Sequence, residues 1–128
     1  INFEESLGIL KNISFYRCYF ICNNKLVFFK NNKFYIKIKN INVFNIKKEN
    51  IFFLGKNKNT LAIGLSISLK KIKLISNNQI HTLIDLRDSI SMTDQIQISH
   101  LSALYFIDNW KRNHKFCSKH LYLPNLLK

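Results

Sequence analysis

The chain has 128 residues, enough for one domain around one core, and its 47% hydrophobic and 13% aromatic content, with one Pro and three Gly, excludes a disordered or low-complexity chain. The formal net charge of +13 attracts polyanions without any sequence code, yet the excess is almost all Lys, scattered among Asn and Ile with only three Arg, a mixture that an AT-biased genome produces without selection for binding. Three Cys, an odd number, with no signal-peptide pattern and no long apolar run, exclude a disulfide framework and membrane insertion, and imply an intracellular setting, cytoplasmic or organellar.

The first ninety residues carry strand signals. Phe15-Tyr-Arg-Cys-Tyr-Phe-Ile-Cys22 is rich in β-formers and runs into Asn23-Asn24, a turn pair that tolerates positive φ. Leu26-Val-Phe-Phe29, a second pair Asn31-Asn32, and Phe34-Tyr-Ile-Lys-Ile38 follow, which predicts a three-stranded meander. Ile51-Phe-Phe-Leu54 and Thr60-Leu-Ala-Ile-Gly-Leu65 flank the polar Gly55-Lys-Asn-Lys-Asn59 and predict an antiparallel hairpin. Of Ile72-Lys-Leu-Ile75 and Gln79-Ile-His-Thr-Leu-Ile84, one is expected as a strand, and Asp85-Leu-Arg-Asp-Ser-Ile90 predicts a short helical turn.

Ser91-Met-Thr-Asp94 has the spacing of a capping box, so a long helix is expected from about Met92 to Arg112. Ile98, Leu101, Leu104, Tyr105 and either Ile107 or Asp108 form its stripe, and Lys111, Arg112, His114 and Lys115 place charge where the helix dipole favours it. The one composition shift, near Ser89 to Asp94, is an element boundary. The chain therefore divides into a sheet domain over 1–90, a packing helix over 91–113 and a tail over 114–128. The expected class is α+β: an antiparallel, curved sheet covered by a long C-terminal helix that buries Leu101, Leu104 and Tyr105.

In the tail, Cys117-Ser-Lys-His120 has the spacing of one knuckle of a zinc site, where a tight turn brings two ligands to a tetrahedral ion. A structural zinc takes four ligands, and His114, Cys18 and Cys22 are the only further donors that fit. Zinc held by Cys117 and His120 thus stands beside a remnant or truncated site, the weightier reading. Cys18 and Cys22, four apart on a strand, share one face and read as core; His81 and His100 lack a neighbouring carboxylate or Cys and read as structural. Phe15, Tyr16, Tyr19, Phe20, Phe28, Phe29, Phe34 and Tyr35, interleaved with Lys25, Lys30, Lys33 and Lys37, suit a stacking platform for RNA or a packed core. With no RNP-like pattern or Gly-rich clamp, core weighs more. No phosphate loop, nucleophile elbow or metalloprotease motif is present, Glu4-Glu5 is the only adjacent carboxylate pair, and no catalytic residue is assigned.

Three segments in order resemble the amino-terminal part of the NADH pyrophosphatase family of Nudix hydrolases, which split NADH and remove NAD caps from RNA. Ile51-Phe-Phe-Leu-Gly55 with Leu61-Ala-Ile-Gly-Leu-Ser66 is similar to the family's Phe-Leu-Gly hairpin and its return strand. Leu83-Ile-Asp-Leu-Arg87 resembles its Leu-Arg step. Ala103-Leu104, Trp110 and Phe116-Cys117 resemble the Ala-Leu, Trp and Phe-Cys signature that leads into a zinc ribbon. The resemblance runs from about Ile51 to His120, and the first fifty residues suit the rudimentary Nudix-like domain without specific motifs.

The resemblance makes Cys117 the first ribbon ligand, with His120 where the second Cys would stand. It confines Mg²⁺ and the catalytic glutamates to a Nudix domain with no counterpart in these residues. Two expectations follow: a non-catalytic domain of a larger hydrolase, serving dimerisation and positioning, or a stand-alone descendant acting as an interaction or scaffold subunit for RNA or an acidic partner. A start at Ile1 rather than Met suggests that an initiator or short leader is missing.

Overall fold

A computed structural model describes residues 13–40 and 45–120, with side chains as far as residue 113. Strand β1 (Phe15–Cys22) turns at Asn23-Asn24, with φ of 49° and 69°, into β2 (Lys25–Phe29). This is the left-handed conformation that a two-residue hairpin requires and that Asn accepts more readily than most residues. After β3 (Tyr35–Ile38), a short 3₁₀ turn over Lys48–Asn50 leads into β4 (Ile51–Asn57) and β5 (Thr60–Ser66), the expected antiparallel hairpin.

Helix α1 (Leu69–Ile75), β6 (Ile80–Ile84), α2 (Leu86–Ser89) and α3 (Gln95–His120) complete the described chain. Of the two segments that competed for a strand, the second is β6 and the first is helical. Ser68 caps α1 by accepting from the Lys71 amide, and Leu69, Ile72 and Ile75 fall three apart on the face that meets the core.

The strand order is β4-β5-β1-β2-β6, with β3 also on β1. The meander expected at the start does not form. β2 pairs with the end of β1 and β3 with its beginning, from Tyr16↔Ile38 to Tyr19↔Tyr35, so the two lie in tandem on one edge. A tight loop, in which the Phe29 amide donates to the Lys33 carbonyl, returns the chain to that edge, while β6 takes the far edge of β2. β1 and β5 pair in parallel over seven residues, from Phe15↔Thr60 to Ile21↔Ser66, which makes the sheet mixed although mostly antiparallel.

Each sheet face has its own core. Tyr16, Cys18, Phe20, Val27, Phe29, Leu61, Ile63 and Leu65 pack with Ile72 of α1. Tyr19, Ile21, Leu26, Phe34, Tyr35, Phe52 and Ala62 pack with Leu101 and Leu104 of α3, with Tyr105 partly buried at the margin. β5 is covered on both sides, which explains its nearly unbroken apolar run. The class is α+β, with the long C-terminal helix on the sheet as expected.

Candidate functional site

Polar and titratable side chains with partners across the fold gather where α3 crosses the sheet. The helix begins at Gln95, and its cap lies three residues after the Ser91 that the sequence suggests. Asp94 is the cap: its Oδ1 accepts from the Gln97 amide at 2.8 Å. That bond first, with help from the cations Arg17 and Lys33, holds the Asp94 carboxyl below its usual range. Gln97 then clamps the loop between β2 and β3, its Oε1 accepting from the buried Phe34 amide.

One turn on, His100 Nδ1 lies 2.9 Å from the Tyr19 hydroxyl. Burial pushes the Tyr19 phenol well above its ordinary value, and Arg17 hydrogen-bonds to it. Burial, and then the Arg17 charge, push the His100 imidazole down. The consistent arrangement is a guanidinium N–H donating to Tyr19 Oη, whose O–H donates to a neutral His100, leaving the proton of His100 on Nε2. A Cβ at Gly55 would stand 3.3 Å from that Nε2, so the glycine at the β4 bulge admits the imidazole edge.

Further along, Leu104 lies directly on Gly64, where a Cβ would stand 2.5 Å from Leu104 Cδ1. The helix stripe continues through Asp108 and not Ile107: Asp108 is 4% exposed while Ile107 is 36% exposed. Asp108 accepts from Ser66 Oγ at 2.6 Å and from Arg112 Nε at 3.1 Å, so its buried charge is paired at both oxygens. The Arg112 guanidinium also donates to Asn24 Oδ1 at 2.8 Å, tying the β1–β2 turn to the helix. A groove of about 460 Å³, lined by Cys22, Asn23, Ser66 and Arg112 among others, opens beside this network. A second, of about 580 Å³, lies between Asn24, Tyr105 and the α2 turn that carries Leu86 and Arg87.

The other candidates scatter. The side chains of Cys117, His120 and His114 lie outside the described residues, as do Glu4 and Glu5; the backbone that carries Cys117 and His120 belongs to α3. Cys18 is fully buried, and burial pushes its thiol far above the ordinary range, which disfavours the thiolate that a metal needs. Cys22 is buried too. Among the described residues, no three His, Cys, Asp or Glu side chains come together to hold a metal ion. His81 is exposed at the sheet edge beside Phe28.

The aromatic run is core, with six of its eight rings buried and only Phe15 and Phe28 partly accessible. Lys25, one of the interleaved cations, pairs with Asp85 at 2.6 Å. Sequence reasoning missed Arg17. Its one signal was a cation set among β-formers on a strand otherwise destined for the interior. Among the described residues, no helix is long and apolar enough to cross a membrane. No protein-family model, no curated protein and no solved structure matches this chain.

Proposed function

We propose that this chain is the non-catalytic, Nudix-like amino-terminal domain of an NADH pyrophosphatase-like hydrolase, and that it serves dimerisation and the positioning of a separate catalytic Nudix domain. One observation supports the reading: parts of the three segments that resemble the family pack together on one face of the sheet. Gly55 and Gly64 of the hairpin lie under His100 and Leu104 of α3, Ser66 at the end of the return strand bonds Asp108, and Leu86 of the Leu-Arg turn packs into the same core. These residues lie far apart in sequence and meet at one seam, an arrangement that agrees with a unit inherited whole.

On this reading Cys117 and His120 begin a zinc ribbon whose other ligands lie beyond the described residues, and zinc there supplies structural cross-linking. Breaking the diphosphate falls to Mg²⁺ held by glutamates of the catalytic domain, while the Ser66–Asp108–Arg112 and Tyr19–His100 contacts keep α3, the lead-in to that domain, in one orientation.

The test is the native reading frame and its product. A frame continuing past Lys128 into a Glu-rich Nudix box, with Mg²⁺-dependent NADH cleavage by the full product and none by residues 1–128, is the expected outcome. A stop codon after Lys128, or NADH hydrolysis by the 128-residue chain alone, would overturn the proposal.

A further inference from the structure

Three cations line the β1–β3 ladder, Arg17 and Lys33 against the Tyr35 ring and Lys37 against the Phe15 ring. Arg17 and Lys37 stand directly opposite each other across the β1–β3 ladder. Like charges so placed repel, and an ordinary sheet avoids the pairing. The Arg17 guanidinium lies 4.5 Å from the centroid of the Tyr35 ring, and Lys33 Nζ approaches the same ring at 5.6 Å. Lys37 Nζ sits 5.6 Å from the centroid of Phe15, a ring still 37% exposed. The β4–β5 turn abuts the start of β1, since the Asn59 carbonyl accepts from the Ser14 amide.

The balance of partners is uneven. Asp94 is the carboxylate whose charge couples to Arg17 and Lys33. Arg17 gives one hydrogen bond to Tyr19, yet its Nε–H is shut away from solvent and meets no acceptor. A buried, unmet guanidinium donor is costly, and cation–π contacts do not satisfy an N–H. An anion with several oxygens set between Arg17 and the exposed Lys37 would offset their repulsion. Arg supplies the planar fork and the two Lys supply mobile point charges, the division of labour that suits phosphoryl oxygens. An exposed ring at the rim adds a surface on which a base can stack.

We propose that Arg17, Lys33 and Lys37 form a phosphoryl-binding site along this ladder, with Phe15 as its aromatic rim. Such a site does not depend on which larger protein carries the domain. Its phosphoryl group belongs either to a nucleotide chain or to a small phosphate.

The test uses the whole 128-residue chain and a fluorescein-labelled single-stranded oligonucleotide, read by anisotropy between about 50 and 200 mM salt. Arg17→Gln with Lys37→Gln should weaken binding about tenfold at the low-salt end and flatten the log–log salt slope by about 1.4, the loss of two phosphate contacts. Lys70→Gln with Lys73→Gln removes equal charge from α1, on the other face, and should cost less than about twofold. Lys37→Gln alone is exposed and keeps the test informative should the Arg17 variant fail to fold. Competition then identifies the source: displacement by millimolar inorganic pyrophosphate supports a small phosphate, and resistance to it supports a nucleotide chain. Equal losses for the two double variants would mean diffuse attraction, and equal affinity for a poly-Glu peptide would mean a generic acidic partner; either result overturns the site.

Discussion

Replacing Gly64 with Ala tests the seam between α3 and the sheet at its tightest point. The added methyl would lie 2.5 Å from Leu104 Cδ1 and 3.2 Å from both Cδ2 and Cγ, so it meets the whole branch of a fully buried Leu and not a tip that can swing aside. Overpacking of this kind costs about 1–3 kcal/mol, against which the stiffer unfolded chain returns about 0.4–1 kcal/mol. A net loss near 1.5 kcal/mol is expected. A chain of 128 residues has an unfolding entropy of about 0.27 kcal/mol/K, so Tm should fall by roughly 5–6 °C. Urea unfolding followed by circular dichroism measures this directly. Leu104→Ala alone should cost about 2–5 kcal/mol, but in the Gly64→Ala background it also removes the clash, so the double variant should be less destabilised than the sum by about 1 kcal/mol or more. Strict additivity, or wild-type stability for Gly64→Ala, would falsify the packing of Leu104 on Gly64.

Other perturbations probe neighbouring contacts. Asp94→Ala removes the cap of α3 and should lower stability by about 1 kcal/mol in urea unfolding. Asp108→Ala strands the Ser66 hydroxyl, while Arg112 keeps its bond to Asn24, for an expected loss of about 1–3 kcal/mol, and Ser66→Ala added to it should cost little more, the signature of one shared network in a double-mutant cycle. Because the fold holds the His100 pKa below its ordinary 6.5, the unfolded chain takes up a proton first as pH falls. Stability should therefore be complete above about pH 6.5 and decline as pH drops toward the lowered folded value, and His100→Gln should flatten that decline in chemical unfolding at stepped pH.

Much of this fold is legible in the residues. The strand at Phe15–Cys22, both hairpins, the short turn at Leu86–Ser89 and the core positions Leu101 and Leu104 follow from β-formers, Asn turns and a 3.6-residue period. What strand patterns do not encode is which edge a strand joins: β3 alternates as well beside β1 as beside β2, so the expected meander gives way to a tandem pair. The cap shifts from Ser91 to Asp94 because both offer an oxygen before the same stripe. Asp108 is read as core only once Ser66 and Arg112 are seen to satisfy it, since a carboxylate on an apolar stripe looks like its end. Arg17 carries no mark in the sequence, for nothing in a strand's alternation distinguishes a cation tucked against a ring from one that is solvated. The Cys117–His120 pattern remains a statement about residue spacing, its side chains lying outside the described residues.

The parallel ladder between β1 and β5 also dictates how the molecule must assemble. β1–β2 and β4–β5 can each zip from a two-residue turn, but the strands that join them start at residues 15 and 60, and closure entropy rises by about 0.6 kcal/mol with each doubling of the intervening loop. Docking of two preformed halves is thus the expected slow event in refolding, and a nick introduced between the halves should leave fragments able to find each other again, because the adhesive strip is built from both and α3 presses on it from above.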